Sequence, residues 1–277
     1  YNSCHDNMTL YDKLVASVLG TDADYRARDE KLVGMNKLAA TAVLTAQGMS
    51  FMLAGEEMAR SKDGDHNSYK SSVELNQIDW SSLTRYSDLV RYYKGLIDLR
   101  KAYAPFTCDD NTAVDNLFFY TETDRHLLGY MYQNPDAEKQ WDKVVCLINS
   151  GDETEVKLEG ENLPTEWVVV VNADSAGVEK LGELSGETVS MKAGEALVLV
   201  DKESFEKASV KSDKTSIDSL PDTALATSIA TEVAESEKSS MPTALPYIMG
   251  ALGVAVTGLG IAYLVRRWHK NRKKSGN

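Results

Sequence analysis

The stretch Tyr1-Asn2-Ser3-Cys4-His5-Asp6-Asn7 reads as the inside of a strand that breaks at His5-Asp6-Asn7, and Met49-Ser50-Phe51-Met52-Leu53-Ala54-Gly55-Glu56-Glu57 repeats the arrangement with a break at Gly55-Glu56-Glu57. Two amphipathic helical patterns alternate with these runs. The first, from about Asp29 to Gln47, sets Leu32, Met35, Leu38, Ala42 and Ala46 on one face, with Asp29 as N-cap and Gly48 closing it. The second, from about Tyr86 to Tyr103, turns Leu89, Tyr92, Leu96 and Leu99 inward and is stopped by Ala104-Pro105. Strands alternating with helices predict a parallel architecture, in which polar groups at strand C-termini occupy the face where catalytic side chains gather. Two such units cannot close a barrel of eight. Residues 1–105 are therefore expected to be a small half-sheet or the C-terminal part of a (β/α)8 TIM barrel whose remainder precedes Tyr1. The opening residues lack the charged head and apolar middle of a targeting signal, and we expect a chain truncated at its start.

Residues 106–201 carry a different pattern. Short β-rich runs at 117–121, 127–132, 144–149, 155–158, 166–171 and 196–200 are punctuated by Asn134-Pro135-Asp136, Ser150-Gly151-Asp152 and Lys192-Ala193-Gly194-Glu195. They predict an antiparallel β-sandwich, making the chain α/β plus all-β. Residues 202–244, rich in Ser, Thr, Ala, Glu and Lys with no aromatic after Phe205 until Tyr247, are expected to form a disordered stalk. Residues 245–265 contain no charge and are long enough to cross the ~30 Å hydrocarbon layer as one transmembrane helix. Arg266, Arg267, Lys270, Arg272, Lys273 and Lys274 follow, so residues 266–277 read as a basic cytoplasmic tail and everything N-terminal as extracellular, anchored at the cell surface. Leu220-Pro221-Asp222-Thr223-Ala224 resembles the sortase signal of wall-attached surface proteins, with Ala in place of the final Gly. Wall attachment and simple retention by the membrane span both stand.

Composition excludes several classes. With 277 residues, 43% of them hydrophobic and 26% charged, the chain is globular in kind and long enough for about two domains. A net charge of -12 argues against a nucleic-acid partner, because neutralising phosphates takes a basic footprint. Cys4, Cys108 and Cys146 are too scattered for a disulfide framework. They read as buried small hydrophobes, with a Cys108–Cys146 bridge left open. No two of His5, His66, His126 and His269 lie at metal-ligand spacing, and neither a phosphate-cradling Gly-rich loop nor a Ser/His/Asp motif occurs. No cofactor is expected.

The chemistry sits in the two breaks. A carboxylate such as Asp6 can accept hydrogen bonds from two adjacent sugar hydroxyls, and an imidazole such as His5 can donate to one of them. Such bonds strengthen as an oxocarbenium-like transition state develops. By itself, His-Asp-Asn in a loop is more often an Asx-capped turn than a catalytic site. Its surroundings point further. Residues 1–14, from Tyr1 to Leu14, resemble the motif of the seventh barrel strand in the α-amylase superfamily, glycoside hydrolase family 13, and within it the type I pullulanases. Phe51-Met52-Leu53-Ala54-Gly55-Glu56-Glu57-Met58-Ala59-Arg60-Ser61-Lys62, with Asn67-Ser68-Tyr69-Lys70-Ser71 and Asn76-Gln77-Ile78-Asp79-Trp80, is similar to the eighth strand and its long loop in the same group.

The resemblance implies that Asp6 is the catalytic transition-state stabiliser, with His5 and Asn7 beside it. It also implies that the nucleophilic aspartate and the acid/base glutamate belong to strands before Tyr1, so this chain alone is expected to be inactive. Glu56 and Glu57 do not replace them, since neighbours on a strand point to opposite faces; they read as loop-anchoring groups. Arg60, Asn67, Tyr69 and Asn76 are the candidates for contacting α-glucan, while Trp80 is expected to pack under the last helix. Calcium occurs in this superfamily, but no residue here specifies a site. The function implied is hydrolysis of α-1,6-glucosidic links in pullulan, starch or glycogen. The rivals are a non-catalytic surface polysaccharide-binding module, or a different family 13 α-glucan specificity.

Overall fold

The computed structural model describes residues 1–108, 115–120, 125–134, 140–208 and 210. The expected membrane span, the basic tail, Leu220–Ala224 and the stalk beyond residue 210 lie outside the described residues. Among the described residues no helix is long and apolar enough to cross a membrane.

Helix α1 (Leu10–Val18) was not anticipated. It starts at Thr9, whose hydroxyl accepts the Asp12 amide at 3.1 Å, satisfying one of the donors that every helix start leaves open. Helix α2 (Glu30–Leu44) has the expected cap, with Asp29 accepting from the Leu32 amide at 3.0 Å, but ends three residues before Gln47. Short helices α3 (Val73–Asn76) and α4 (Ser82–Arg85) lead into α5 (Ser87–Ala102), which matches its predicted span to within a residue at each end. Leu89, Tyr92, Leu96 and Leu99 are buried as the period demanded.

The two strands expected in this region are absent: no strand precedes Leu117 among the described residues. A strand exists by virtue of a hydrogen-bonded partner, and neither Tyr1–Cys4 nor Met49–Ala54 has one. Met49 is 99% exposed, which contradicts a buried strand. The two segments meet instead through side chains, Tyr1 against Phe51 with ring centres 5.9 Å apart, and Ser3 against Glu56. The barrel expectation is thus not met by what is described here.

The sandwich is present. Strands β1 (Leu117–Phe119), β2 (Leu127–Gln133), β3 (Lys143–Asn149), β4 (Thr154–Lys157), β5 (Glu166–Val171), β6 (Gly182–Ser185), β7 (Thr188–Met191) and β8 (Ala196–Asp201) form a six-stranded sheet in the order β1-β2-β3-β8-β5-β6 and a two-stranded sheet β4-β7. Every pairing is antiparallel. One face of the large sheet, with Met131, Val145, Leu147, Trp167 and Leu199, packs on Val156, Val189 and Met191 of the small one. The other face, with Tyr130, Tyr132, Cys146, Val168, Val170 and Val198, shares a core with Leu32, Leu89, Leu96, Tyr103 and Phe106. Burial on both faces explains why β3, β5 and β8 are nearly unbroken apolar runs rather than alternating ones. The core therefore continues across the boundary expected at residue 105.

Two contacts lock helices to sheet. Arg100 on α5 donates Nη1 to the carbonyls of Leu44 (2.9 Å) and Ala46 (2.6 Å) and Nη2 to Gly48, taking up the carbonyls that the end of α2 leaves open and ending that helix early. Thr45 joins its hydroxyl to the Tyr130 phenol at 2.6 Å and its carbonyl accepts from Tyr132 at 3.1 Å. Gly95 is required where α5 meets the loop after β5, since a Cβ there would lie 1.9 Å from the Ala176 carbonyl oxygen.

The first residues of the segment expected to be a disordered stalk are ordered. Lys202–Lys207 form helix α6, capped by Asp201, and Phe205 stacks on buried Trp141 with ring centres 5.8 Å apart. That aromatic contact supplies the apolar anchor the composition of the segment hides. All three cysteines are free, so Cys108 and Cys146 are not bridged.

Two outcomes follow for stability and reactivity. Arg100→Ala leaves three carbonyls without their charged donor and is expected to destabilise the protein by about 3 kcal/mol in urea unfolding; a change under about 0.5 kcal/mol would contradict the clamp. Burial pushes the Cys146 thiol up to about 12, so it should resist thiol reagents at pH 8 in the native state and react only on unfolding.

Candidate active-site face

The segment before α1 is pinned beneath and free above. Ser3 is buried, and its hydroxyl donates to Glu56 Oε2 at 2.5 Å. Asn2 Nδ2 donates to the Ala39 carbonyl at 3.0 Å, and Lys13 Nζ to the Asn2 carbonyl at 2.9 Å. Two residues on, the side chains of His5 and Asp6 are 83% and 79% exposed, with His5 Nδ1 3.2 Å from Asp6 Oδ1. Asn7 adopts φ 67°, a left-handed conformation Asn tolerates, and its side-chain oxygen accepts the Met8 amide at 2.8 Å. The turn reading and the sugar-binding reading of this triplet are compatible: Asn7 shapes the turn, which leaves the Asp6 carboxylate in solvent.

Glu56 is a buried carboxylate. It sits in a single 3-10 turn (Glu56–Met58), not on a strand, so the argument from opposite strand faces does not apply. Besides Ser3, it accepts the Tyr93 phenol at Oε1 (3.1 Å); that phenol also reaches Asn36 Oδ1 (2.7 Å), while Asn36 Nδ2 donates to the Glu56 carbonyl at 3.4 Å. Burial, then the Glu56 charge, raises Tyr93 well above the ordinary phenol range, so it stays a donor. Glu57 folds back to accept the Gly55 amide at 3.0 Å. Both acidic groups are spent on anchoring the loop.

The loop candidates separate into two kinds. Arg60 donates to the Ala54 carbonyl at 3.0 Å and to the Asn76 carbonyl, and burial lowers its pKa. Asn76 Nδ2 reaches the carbonyls of Ser68 (2.8 Å), Ser72 (3.2 Å) and Ser71 (3.3 Å). These two hold the loop's own backbone. Asn67 and Tyr69 stand exposed, Tyr69 with the Lys70 ammonium 5.1 Å from its ring centre. Trp80 does not pack under α5. It is 59% exposed, because an Asp79 turn, accepting the Ser81 amide at 3.0 Å and hydroxyl at 2.6 Å, directs it outward. Tyr86 takes the buried place against Tyr11, ring centres 5.7 Å apart.

Asp12 was missed. It is fully buried, accepting Ser61 Oγ at 2.6 Å and the Lys62 amide at 2.8 Å, while Lys62 Nζ donates to Ser68 Oγ at 2.7 Å. The Thr9-x-x-Asp12 spacing signals a helix start, but not that its carboxylate serves a loop fifty residues away. Arg26 fastens the same loop, gripping Asp63 with two bonds of 2.6 and 2.9 Å that hold the Asp63 carboxyl below its usual range. Among the described residues no three His, Cys, Asp or Glu groups converge to hold a metal ion, and none is assigned to calcium.

No protein-family model matches the chain. It is 32% identical over 154 residues to a pullulanase of Bacillus subtilis (strain 168), covering 56% of this chain and 21% of that protein. Among solved structures, the pullulanase from Bacillus acidopullulyticus superposes with a TM-score of 0.62 at 30% identity over 72% of this chain and 23% of that one. The pullulanase from Anoxybacillus sp. LM18-11 complexed with maltotetraose gives 0.60 at 28% identity, over 73% of this chain and 27% of that one. The likeness is to pullulanases. It supports reading the chain as a pullulanase-type fragment that spans about a fifth of the curated relative and about a quarter of the solved ones.

Gly55 tests the loop geometry. Its φ is 94°, and a Cβ would lie 2.8 Å from Arg60 Cδ and 2.9 Å from Arg60 Cβ. Gly55→Ala should therefore cost about 2 kcal/mol in urea unfolding; a neutral result would contradict the left-handed turn and the close approach of Arg60.

Proposed function

We propose that this chain is the C-terminal part of an extracellular retaining glycoside hydrolase of family 13, cleaving α-1,6-glucosidic links in pullulan, starch or glycogen. The observation that carries the proposal is the likeness to pullulanases, a maltotetraose complex among them, at about 30% identity and a TM-score near 0.6. The exposed His5-Asp6-Asn7 tip on a pinned base supports it. In this reading Asp6 accepts hydrogen bonds from two adjacent hydroxyls of the sugar at the scissile bond. Those bonds tighten as positive charge develops on the ring, so they lower the barrier more than they strengthen ground-state binding. His5 donates to a neighbouring hydroxyl, and Asn7, Asn67 and Tyr69 complete the contact with glucan. Arg60 and Asn76 act through the loop they hold. The nucleophile and the acid/base come from outside these 277 residues. Residues 245–265 anchor the enzyme in the membrane, with the residues from 211 to 244 as the stalk and 266–277 in the cytoplasm; Leu220–Ala224 is a candidate sorting signal.

Two assays test this. The isolated chain should not release maltotriose from pullulan, and turnover above background would refute the assignment of the catalytic pair to other sequence. In the longer gene product, Asp6→Asn should lower kcat by on the order of a hundredfold or more with KM little changed and the melting temperature unmoved. Unchanged hydrolysis would favour a non-catalytic polysaccharide-binding module.

A further inference from the structure

The geometry points to the segment Gly55–Lys62 as a brace that positions Asp6, with Glu56 and Asp12 as positioning residues at its two ends. This rests on the role proposed for Asp6 and adds what holds it there. Among the described residues the polar contacts of the tip at residues 5–7 are local: Cys4 Sγ to the Asp6 carbonyl at 3.5 Å, His5 to Asp6, and Asn7 to the Met8 amide. Nothing in those bonds fixes the tip relative to the rest of the protein. Its position is set by the nearest fixed points on either side.

On the N-terminal side that point is Ser3, bonded to Glu56. On the C-terminal side it is the first turn of α1, where Thr9 caps the helix and Asp12 accepts from Ser61 and Lys62. Asp6 lies three positions from Ser3 and three from Thr9, a reach of about 10 Å each way in extended chain. Both fixed points end on one short segment, and both use buried carboxylates. A buried carboxylate deprived of a donor is costly, so each holds its partner strongly. Glu56 is itself held from behind by Tyr93 of α5, whose phenol Asn36 of α2 shares. The brace is thereby referred to the helical core. An error of about 1 Å at a reacting group can cost about a hundredfold in rate, so a brace of this kind bears on kcat.

The test uses the longer gene product assayed on pullulan, with Ser3→Ala, Ser3→Thr, Ser61→Ala and Asp6→Asn. The serine variants keep the Glu56 and Asp12 carboxylates and remove or retain single hydroxyls, avoiding the unfolding that Glu56→Ala risks. The expected result is that Ser3→Ala and Ser61→Ala each lower kcat about tenfold with KM within about twofold. Ser3→Thr, which keeps the hydroxyl, should restore most of the loss. A purely structural role would lower the melting temperature and the active fraction while leaving kcat per active site unchanged. If Asp6→Asn abolishes turnover but Ser3→Ala and Ser61→Ala leave kcat per active site intact, the brace is overturned and the role of Asp6 survives. If Asp6→Asn itself leaves hydrolysis unchanged, the proposed function falls, and the brace with it.

Discussion

A carboxylate removed from water must be given hydrogen-bond donors, and the region around the candidate site is organised by that demand at Glu56. Its donors come from distant parts of the chain: a hydroxyl at Ser3, before the first helix, and a phenol at Tyr93, in α5. Asn36, on α2, ties in through the same phenol and the Glu56 carbonyl. Four segments with little local reason to associate are therefore held together. Asp12 repeats the device nearby, binding the loop after Glu56 to α1. The exposed His5-Asp6-Asn7 tip thus stands on a base of buried, mutually hydrogen-bonded groups.

The second constraint is the double burial of the large sheet. Because one face packs on β4 and β7 and the other on α2 and α5, the helical part and the sandwich share apolar side chains rather than a thin interface. Arg100 and Thr45 supply the polar side of that junction, satisfying the end of α2 with groups from α5 and β2. Relative motion of the two parts would expose both apolar surface and unpaired carbonyls, at a cost of several kcal/mol. The sandwich thus serves as the floor against which the helices carrying the brace are fixed.

Some of this was legible in the sequence. The runs that became β2, β3, β5 and β8 are rich in aliphatic or, in β2, aromatic side chains and bounded by turn residues, so their boundaries fell within a residue or two. Strands β6 and β7 are four residues each with half their side chains in water, too short for the pattern to stand out. Helix α5 was readable because Leu89, Leu96 and Leu99 keep helical spacing. Helix α2 was read too long because its end is set by Arg100, more than fifty residues away. The strand readings at Tyr1–Cys4 and Met49–Ala54 erred because a strand depends on its neighbours. At the candidate site, contiguous triplets could be seen in one dimension, whereas the partners of Glu56 lie 53 and 37 residues from it and leave no local trace.

In the proposed function Asp6, held at the tip of a braced segment, binds the sugar at the point of cleavage. The most direct measurement is a crystal structure of the longer gene product with maltotetraose bound. Both Asp6 carboxylate oxygens should lie within hydrogen-bonding distance of adjacent hydroxyls on one sugar, with the Ser3–Glu56 bond intact beneath. A sugar bound in the catalytic cleft while Asp6 faces bulk solvent would contradict it.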